Sequence, residues 1–240
     1  MTEWFEQWFG EEYLKLYPHR DEVDAARAVN LIAEKLQLAD RLVLDLACGP
    51  GRHAVHLRRA GADVVGFDLS LPLLSRARHR GVDVLPVVRG DMRRLPFAPC
   101  TFDVVVNLFT SFGYFSEDAQ HRLVLRDVAA VLKAGGVLVL DYFNSDELRR
   151  YLVEREERSV GDQRVVIQRR ISSDGGYVIK EIHLIDDGRS FVERVRLFNQ
   201  AELENLMCDA GFEVKDRFGD YDGGPVTATS PRILITAERP

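Results

Sequence analysis

An α/β fold around a parallel sheet is predicted for this chain of 240 residues. Three observations carry that reading. Strand-like and helix-like segments alternate between residues 41 and 142. The turns joining them are short, which favours right-handed βαβ units. The segment Phe102 to Phe109 is strongly apolar, as a strand covered on both faces must be. With 46% hydrophobic and 29% charged residues the balance is that of a globular chain, and one domain over 1–240 is expected.

Each element has its own signal. Trp4, Phe5, Trp8 and Phe9 recur at helical spacing, Tyr13, Leu14 and Tyr17 follow, and Pro18 ends that segment. Asp21 is placed to cap a second helix with an apolar stripe from Ala25 to Leu36. Arg41 to Asp45 is a compact strand, followed by the glycine turn Cys48-Gly49-Pro50-Gly51 and a helix over Arg52 to Arg59 that Gly61 stops. Asp63 to Asp68 is the next strand. Ser70 caps a helix with Pro72 in its first turn and Gly81 past its end. Strands over Val84 to Arg89 and Phe102 to Phe109 precede a helix over Glu117 to Leu132. Gly135-Gly136 then turns into the strand Val137 to Tyr142. Residues 1–38 are thus a helical segment, and 40–145 are the alternating core.

The texture then changes. Gln163 to Ile171, Tyr177 to Ile185 and Phe191 to Phe198 read as strands joined by Ser-Asp-Gly-Gly and Asp-Asp-Gly turns. They predict an antiparallel insertion over 161–198. Over 199–240, Asn199 and Glu202 form a capping arrangement for a helix Ala201 to Ala210, and Phe212 to Phe218 and Arg232 to Ala237 are two more strands.

Composition excludes several classes. The net charge of −6 disfavours nucleic-acid and anionic-membrane partners, which need clustered Lys and Arg. Cys48, Cys100 and Cys208 lie far apart with no CxxC pair, so neither a disulfide framework nor a metal site is expected. No secretory leader is expected, no apolar run reaches about 18 residues, and a cytoplasmic protein is expected.

The informative segment is Val43 to Gly51. A strand ends in a carboxylate, and a glycine turn feeds a helix. Gly49 and Gly51 allow positive φ and close backbone approach, at the edge where α/β sheets bind ligands. The residues leave two ligands open. Gly49-Pro50-Gly51-Arg52-His53-Ala54 also fits a loose dinucleotide pattern, which would make the protein an NAD(P)-dependent oxidoreductase. Asp45 at the strand end opposes that, because a carboxylate repels a pyrophosphate and attracts the ammonium and sulfonium of S-adenosylmethionine. Asp68 ends the second strand, where it accepts from ribose hydroxyls or serves as a loop acid. Asp91 is placed to accept from an adenine amino group, with Met92 packing on the ring, and Asn107 is either a contact to the methionine part or a structural amide.

Leu44 to Gly51, Gly66-Phe67-Asp68-Leu69-Ser70, Gly90-Asp91-Met92, Phe102-Asp103-Val104-Val105-Val106 and Leu132-Lys133-Ala134-Gly135-Gly136 together resemble the successive motifs of class I S-adenosylmethionine-dependent methyltransferases. The resemblance spans roughly residues 40–145. It implies a Rossmann-like, seven-stranded, mostly parallel sheet with an antiparallel last strand, and N-terminal helices folded over the cofactor as a lid. It implies cofactor contacts from Asp45, Ala47, Gly49, Gly51, Asp68, Leu69, Asp91, Met92 and Asn107. Ala47 departs from the family's usual glycine and fits if its φ is negative.

Methyl transfer from a sulfonium is an in-line displacement that asks mainly for alignment and desolvation. A hydroxyl acceptor needs a base, whereas nitrogen or carbon needs little acid-base help. Tyr17 and His19 are the catalytic candidates. Phe109, Phe112 and Tyr114 are expected to border the acceptor pocket. The Asn/Asp-Pro-Pro-aromatic tetrapeptide of nucleic-acid base methyltransferases is absent from Asn107-Leu108-Phe109-Thr110, which favours a small-molecule acceptor. The insertion suggests an acceptor wall or a homodimer contact. A non-catalytic cofactor-binding protein is the remaining alternative.

Overall fold

The computed structural model describes residues 3–17, 22–81 and 83–240. Pro18, His19 and Asp21, named above as a helix stop, a catalytic candidate and a cap, lie outside the described residues.

The chain opens with three helices, α1 (Trp4–Trp8), α2 (Glu11–Leu16) and α3 (Glu22–Leu36). The core alternates as β1 (Leu42–Leu46), α4 (Arg52–Arg59), β2 (Asp63–Asp68), α5 (Leu71–Arg78), β3 (Val87–Arg89), β4 (Phe102–Asn107), α6 (Asp118–Val131) and β5 (Leu132–Phe143). A short helix α7 (Ser145–Tyr151) leads to β6 (Arg155–Val160), β7 (Gln163–Ile171), β8 (Tyr177–Leu184) and β9 (Ser190–Arg196). The end is α8 (Gln200–Asp209), β10 (Glu213–Phe218) and β11 (Arg232–Glu238).

Seven strands form one sheet in the order β10-β11-β5-β4-β1-β2-β3. The pairs β2–β3, β1–β2, β1–β4 and β4–β5 are parallel, and β11 runs antiparallel to both β5 and β10. The fold class is the one expected. Winding reverses at β1, which has β2 on one side and β4 on the other; the crevice above that point is where such sheets take ligands. Leu and Val fill the central strands because helices cover both faces. Ala28, Val29, Ile32, Leu57 and Ala77 pack on one face, and Val124, Val128, Leu203 and Met207 on the other.

Local chemistry fixes the ends. Ser70 Oγ accepts from the Leu73 N–H and caps α5. Asn199 and Glu202 make a reciprocal capping box on α8, each side chain accepting the other's backbone N–H.

Several boundaries differ from the sequence reading, β5 among them, which begins at Leu132 and not at Val137. The N-terminal helix is broken in two, with Gly10 capping α2. The third strand shrinks to Val87–Arg89 because Pro86 has no N–H for a ladder and serves through its carbonyl, which accepts from Gly66. Helix α7 was not expected; Asn144 caps it by accepting from the Asp146 N–H. The insertion has four strands in the order β6-β7-β8-β9, so it starts at Arg155. Strand β6 reads as Arg-Glu-Glu-Arg-Ser-Val because it is an edge strand without an apolar face, and its pairing with β7 defines it. The inner face of the insertion packs Val165, Ile167, Ile182 and Leu184 against Trp8, Tyr13 and Leu16 of α1 and α2.

Candidate functional site

A cavity of about 740 Å³ lies at the carboxyl ends of β1, β2 and β4. Its walls come from the core loops, from α1 and α2, and from the inner face of the insertion sheet. That volume falls within the usual range of small-ligand sites.

The loop after β1 forms one wall. Ala47, Gly49 and Gly51 have φ of +57°, +54° and +78°. The negative φ expected of Ala47 is thus corrected: the loop holds an alanine left-handed, at a cost of roughly 1–2 kcal/mol. Gly49 faces the cavity, with no atom within 4 Å of where a Cβ would stand. Gly51 is not part of the cavity wall. A Cβ there would meet Ala77 Cα and Cβ at 3.0 Å, so this glycine lets α4 approach α5.

Asp68 ties two loops together at the cavity edge. Its Oδ2 accepts from the Gly49 N–H at 2.9 Å and its Oδ1 from the Ser70 N–H at 2.8 Å. Burial raises its pKa against the pull of these backbone bonds. Each oxygen keeps acceptor capacity for a further donor. Leu69 and Met92 also line the cavity. Asp91 lines it too, gripped by Arg93, whose Nε lies 3.0 Å from both carboxylate oxygens. Burial works to raise the Asp91 pKa, but the Arg93 bonds outweigh it and hold the carboxyl below its usual range.

Other expected contacts lie elsewhere. Asp45 is buried beneath the loop and is not in the cavity wall. Burial first, then the neighbouring Asp68 charge, push its pKa up to about 7, against an N–H bond from Ala54 and the charge of Arg52. It therefore presents no full negative charge to a ligand, and its part in the choice between donors is corrected. Asn107 is a structural amide whose Nδ2 donates to the Leu46 carbonyl at 3.0 Å. Phe112 packs in the core against His121 and Phe198. Tyr17 stands off the cavity, its hydroxyl accepting from Lys180 Nζ at 2.8 Å.

The strand β4 leads into two left-handed residues, Phe109 and Thr110, with φ of +61° and +60°. Asp141 on β5 holds them: its Oδ2 accepts from the Phe109 N–H at 2.7 Å and its carbonyl from the Thr110 N–H at 3.0 Å. Phe109 and Tyr114 line the cavity. Trp4, Phe9 and Tyr13 join them, with the rings of Phe9 and Tyr114 stacked 5.6 Å apart.

Sequence reasoning missed the polar part of this wall. Lys180 on β8 and Glu193 on β9 are cross-strand neighbours on the inner face of the insertion, 3.1 Å apart. Trp8 Nε1 donates to Glu193 Oε1 at 2.6 Å, so α1 is tied to this pair. A signal existed: both charges sit at inward positions of alternating strands, where apolar residues belong. Arg52, His53 and Arg232 also line the cavity. Burial, and then the Arg52 charge, push the His53 pKa down to about 3, so the ring is neutral.

The comparisons fit this geometry. Residues 43–136 match the family model described as a methyltransferase domain. The chain is 33% identical over 222 residues to the cypemycin N-terminal methyltransferase of Streptomyces sp, covering 89% of both chains. The chain belongs to the class I S-adenosylmethionine-dependent methyltransferases. It is also 30% identical to the dTDP-3-amino-3,4,6-trideoxy-alpha-D-glucopyranose N,N-dimethyltransferase of Streptomyces venezuelae, over 84% of this chain and 86% of that one. Among solved structures it resembles S-adenosylmethionine-bound CalS10, an amino pentose methyltransferase from Micromonospora echinaspora, with TM-score 0.69 and 25% identity over 95% and 96% of the two chains. The oxidoreductase and non-catalytic alternatives give way to this methyltransferase.

The residues present suit the methyltransferase cofactor. Gly49 offers a cradle that a Cβ would fill, and Asp68 keeps acceptor capacity at the cavity edge. Among the described residues no group of three or more His, Cys, Asp or Glu is arranged to hold a metal, and no helix is long and apolar enough to cross a membrane.

Proposed function

We propose that this methyltransferase modifies a nitrogen atom of a small-molecule acceptor. The nitrogen is supported by the printed activities of two relatives, an N-terminal methyltransferase and an amino-sugar N,N-dimethyltransferase. The observation that carries the cofactor assignment is Asp68, which binds the Gly49 loop and faces the cavity at once.

In this reading Asp68 accepts from the ribose hydroxyls, Leu69, Asp91 and Met92 hold the adenine, and the Ala47–Gly49 turn holds the methionine part. When bound, the sulfonium supplies the methyl group. The chain's own residues align the acceptor and exclude water. Trp4, Phe9, Tyr13 and Tyr114 form an aromatic wall, and Phe109 stands at the end of β4, where the acceptor approaches. Such alignment is worth up to roughly 7–11 kcal/mol. We place the protein in the cytoplasm, in keeping with three free thiols at Cys48, Cys100 and Cys208.

Calorimetry with S-adenosylhomocysteine and NADPH tests the assignment. Only the first is expected to bind, and Asp68→Ala should weaken it by about 1.5–3 kcal/mol, the worth of hydrogen bonds to a charged group. An unchanged affinity would remove Asp68 from the ribose site.

A further inference from the structure

Arg232 opens β11 and lines the cavity. Its Nε donates to Asp141 Oδ1 at 2.9 Å, and its Nη2 donates to Thr110 Oγ1 at 3.1 Å. Asp141 is fully buried, and its Oδ2 also accepts from the Tyr221 hydroxyl at 2.7 Å. These contacts fix the guanidinium along one edge. Its Nη1 has no partner among the described residues, yet it is not a buried atom. A pinned guanidinium with an open N–H edge, in the wall of a cavity, is built to take an oxyanion. Arg52 reinforces the positive field, since both guanidinium groups lie over the Phe109 ring, at 5.4 Å for Arg232 and 5.1 Å for Arg52.

The strand order says which ligand this edge meets. The adenine and ribose residues follow β3 and β2, and the glycine loop follows β1. Arg232 opens the third strand from β1, past β4 and β5, and its guanidinium reaches back over the Phe109 ring that follows β4. That is the acceptor's end of the cavity.

We propose that Arg232 binds a carboxylate or phosphate group carried by the acceptor, so that the substrates of this enzyme are anionic amines. The inference rests on the methyltransferase reading of the cavity. Asp141 is a positioning residue for Arg232, and Phe109 a shared surface for the two arginines.

The test uses the full chain saturated with S-adenosylhomocysteine, so that the cofactor's own carboxylate is already in place. Acetate and inorganic phosphate are titrated in as separate probes by calorimetry. At least one is expected to bind, and the probe that binds identifies a carboxylate or a phosphate as the group. The double variant R232Q/D141N, which leaves no unpaired buried charge, should weaken that probe roughly tenfold to a hundredfold, the range of a charge-assisted hydrogen bond, with homocysteine-nucleoside affinity unchanged. R232K keeps the charge without the fork and should lose less; it serves as the second variant if the double variant does not unfold cooperatively. Three results overturn the proposal: neither probe binds, the variants bind as the parent does, or the variants lose S-adenosylhomocysteine itself, which would assign the guanidinium to the cofactor. Failure of the parent chain to bind S-adenosylhomocysteine would instead sink the methyltransferase reading.

Discussion

Gly49 and Asp45 show how much one side chain says about a site. Gly49 is needed for two reasons, its positive φ and the open space where a side chain would intrude. Gly49→Val should therefore leave the fold standing, at a strain cost of roughly 1–2 kcal/mol, while blocking S-adenosylhomocysteine binding. Thermal unfolding and calorimetry on the same variant separate the two effects; normal binding would take the turn out of the site. Asp45 teaches the opposite lesson. A carboxylate at a strand end reads as a charge offered to a ligand, but its side chain turns under the loop, accepts from the Ala54 N–H and is raised to about 7. The correct donor was inferred through a residue that does not face it. Strand-end position is written in the sequence, whereas side-chain direction depends on how α4 packs over β1.

Helices and strands of the core were legible because their signals are local. The capping box of α8 illustrates this: Asn199 Oδ1 accepts from the Glu202 N–H at 2.9 Å, as the spacing of the two residues implies. Asn199→Ala should cost about 1 kcal/mol in thermal or urea unfolding, with cofactor affinity unchanged because α8 contributes nothing to the cavity wall. A neutral result in unfolding would mean that the box does not stabilise α8. The elements that escaped notice were those without an apolar pattern. Strand β6 alternates between exposed and half-buried residues, and only the neighbouring β7 gives its backbone a ladder.

Acid stability belongs to the molecule as a unit. His121 is fully buried against Phe112, Phe115 and Phe198, and burial pushes its pKa down to about 4. A group depressed in the folded state binds fewer protons than it does unfolded, so its contribution is complete above pH ~6.5 and is lost as pH falls toward 4. His121→Phe keeps a planar aromatic ring and removes the titration. Relative to the parent, the variant should gain roughly 1–2 kcal/mol on going from pH 7.5 to pH 5. Urea unfolding at the two pH values measures this; a parallel loss in both proteins would show that the ring is charged in the folded state. Asp45 acts in the other direction, since its raised pKa lowers stability as pH climbs through about 7. A comparison against the parent at the same two pH values cancels that shared contribution.

Periodicity, caps and glycine turns were enough to give the element order from β1 to β5, the parallel core, the Gly49 loop and the placing of Asp68 and Met92 at the cavity, because each of these depends on residues close together in the chain. The side of the cavity built by the insertion and β11 was not legible in that way. Trp8 meets Glu193 across 185 residues, and Arg232 meets Thr110 across 122. Such pairs form only once the insertion folds back on the N-terminal helices and β11 lies beside β5. Burial of the sheets decides which charged side chains converge there, and no local pattern encodes that convergence.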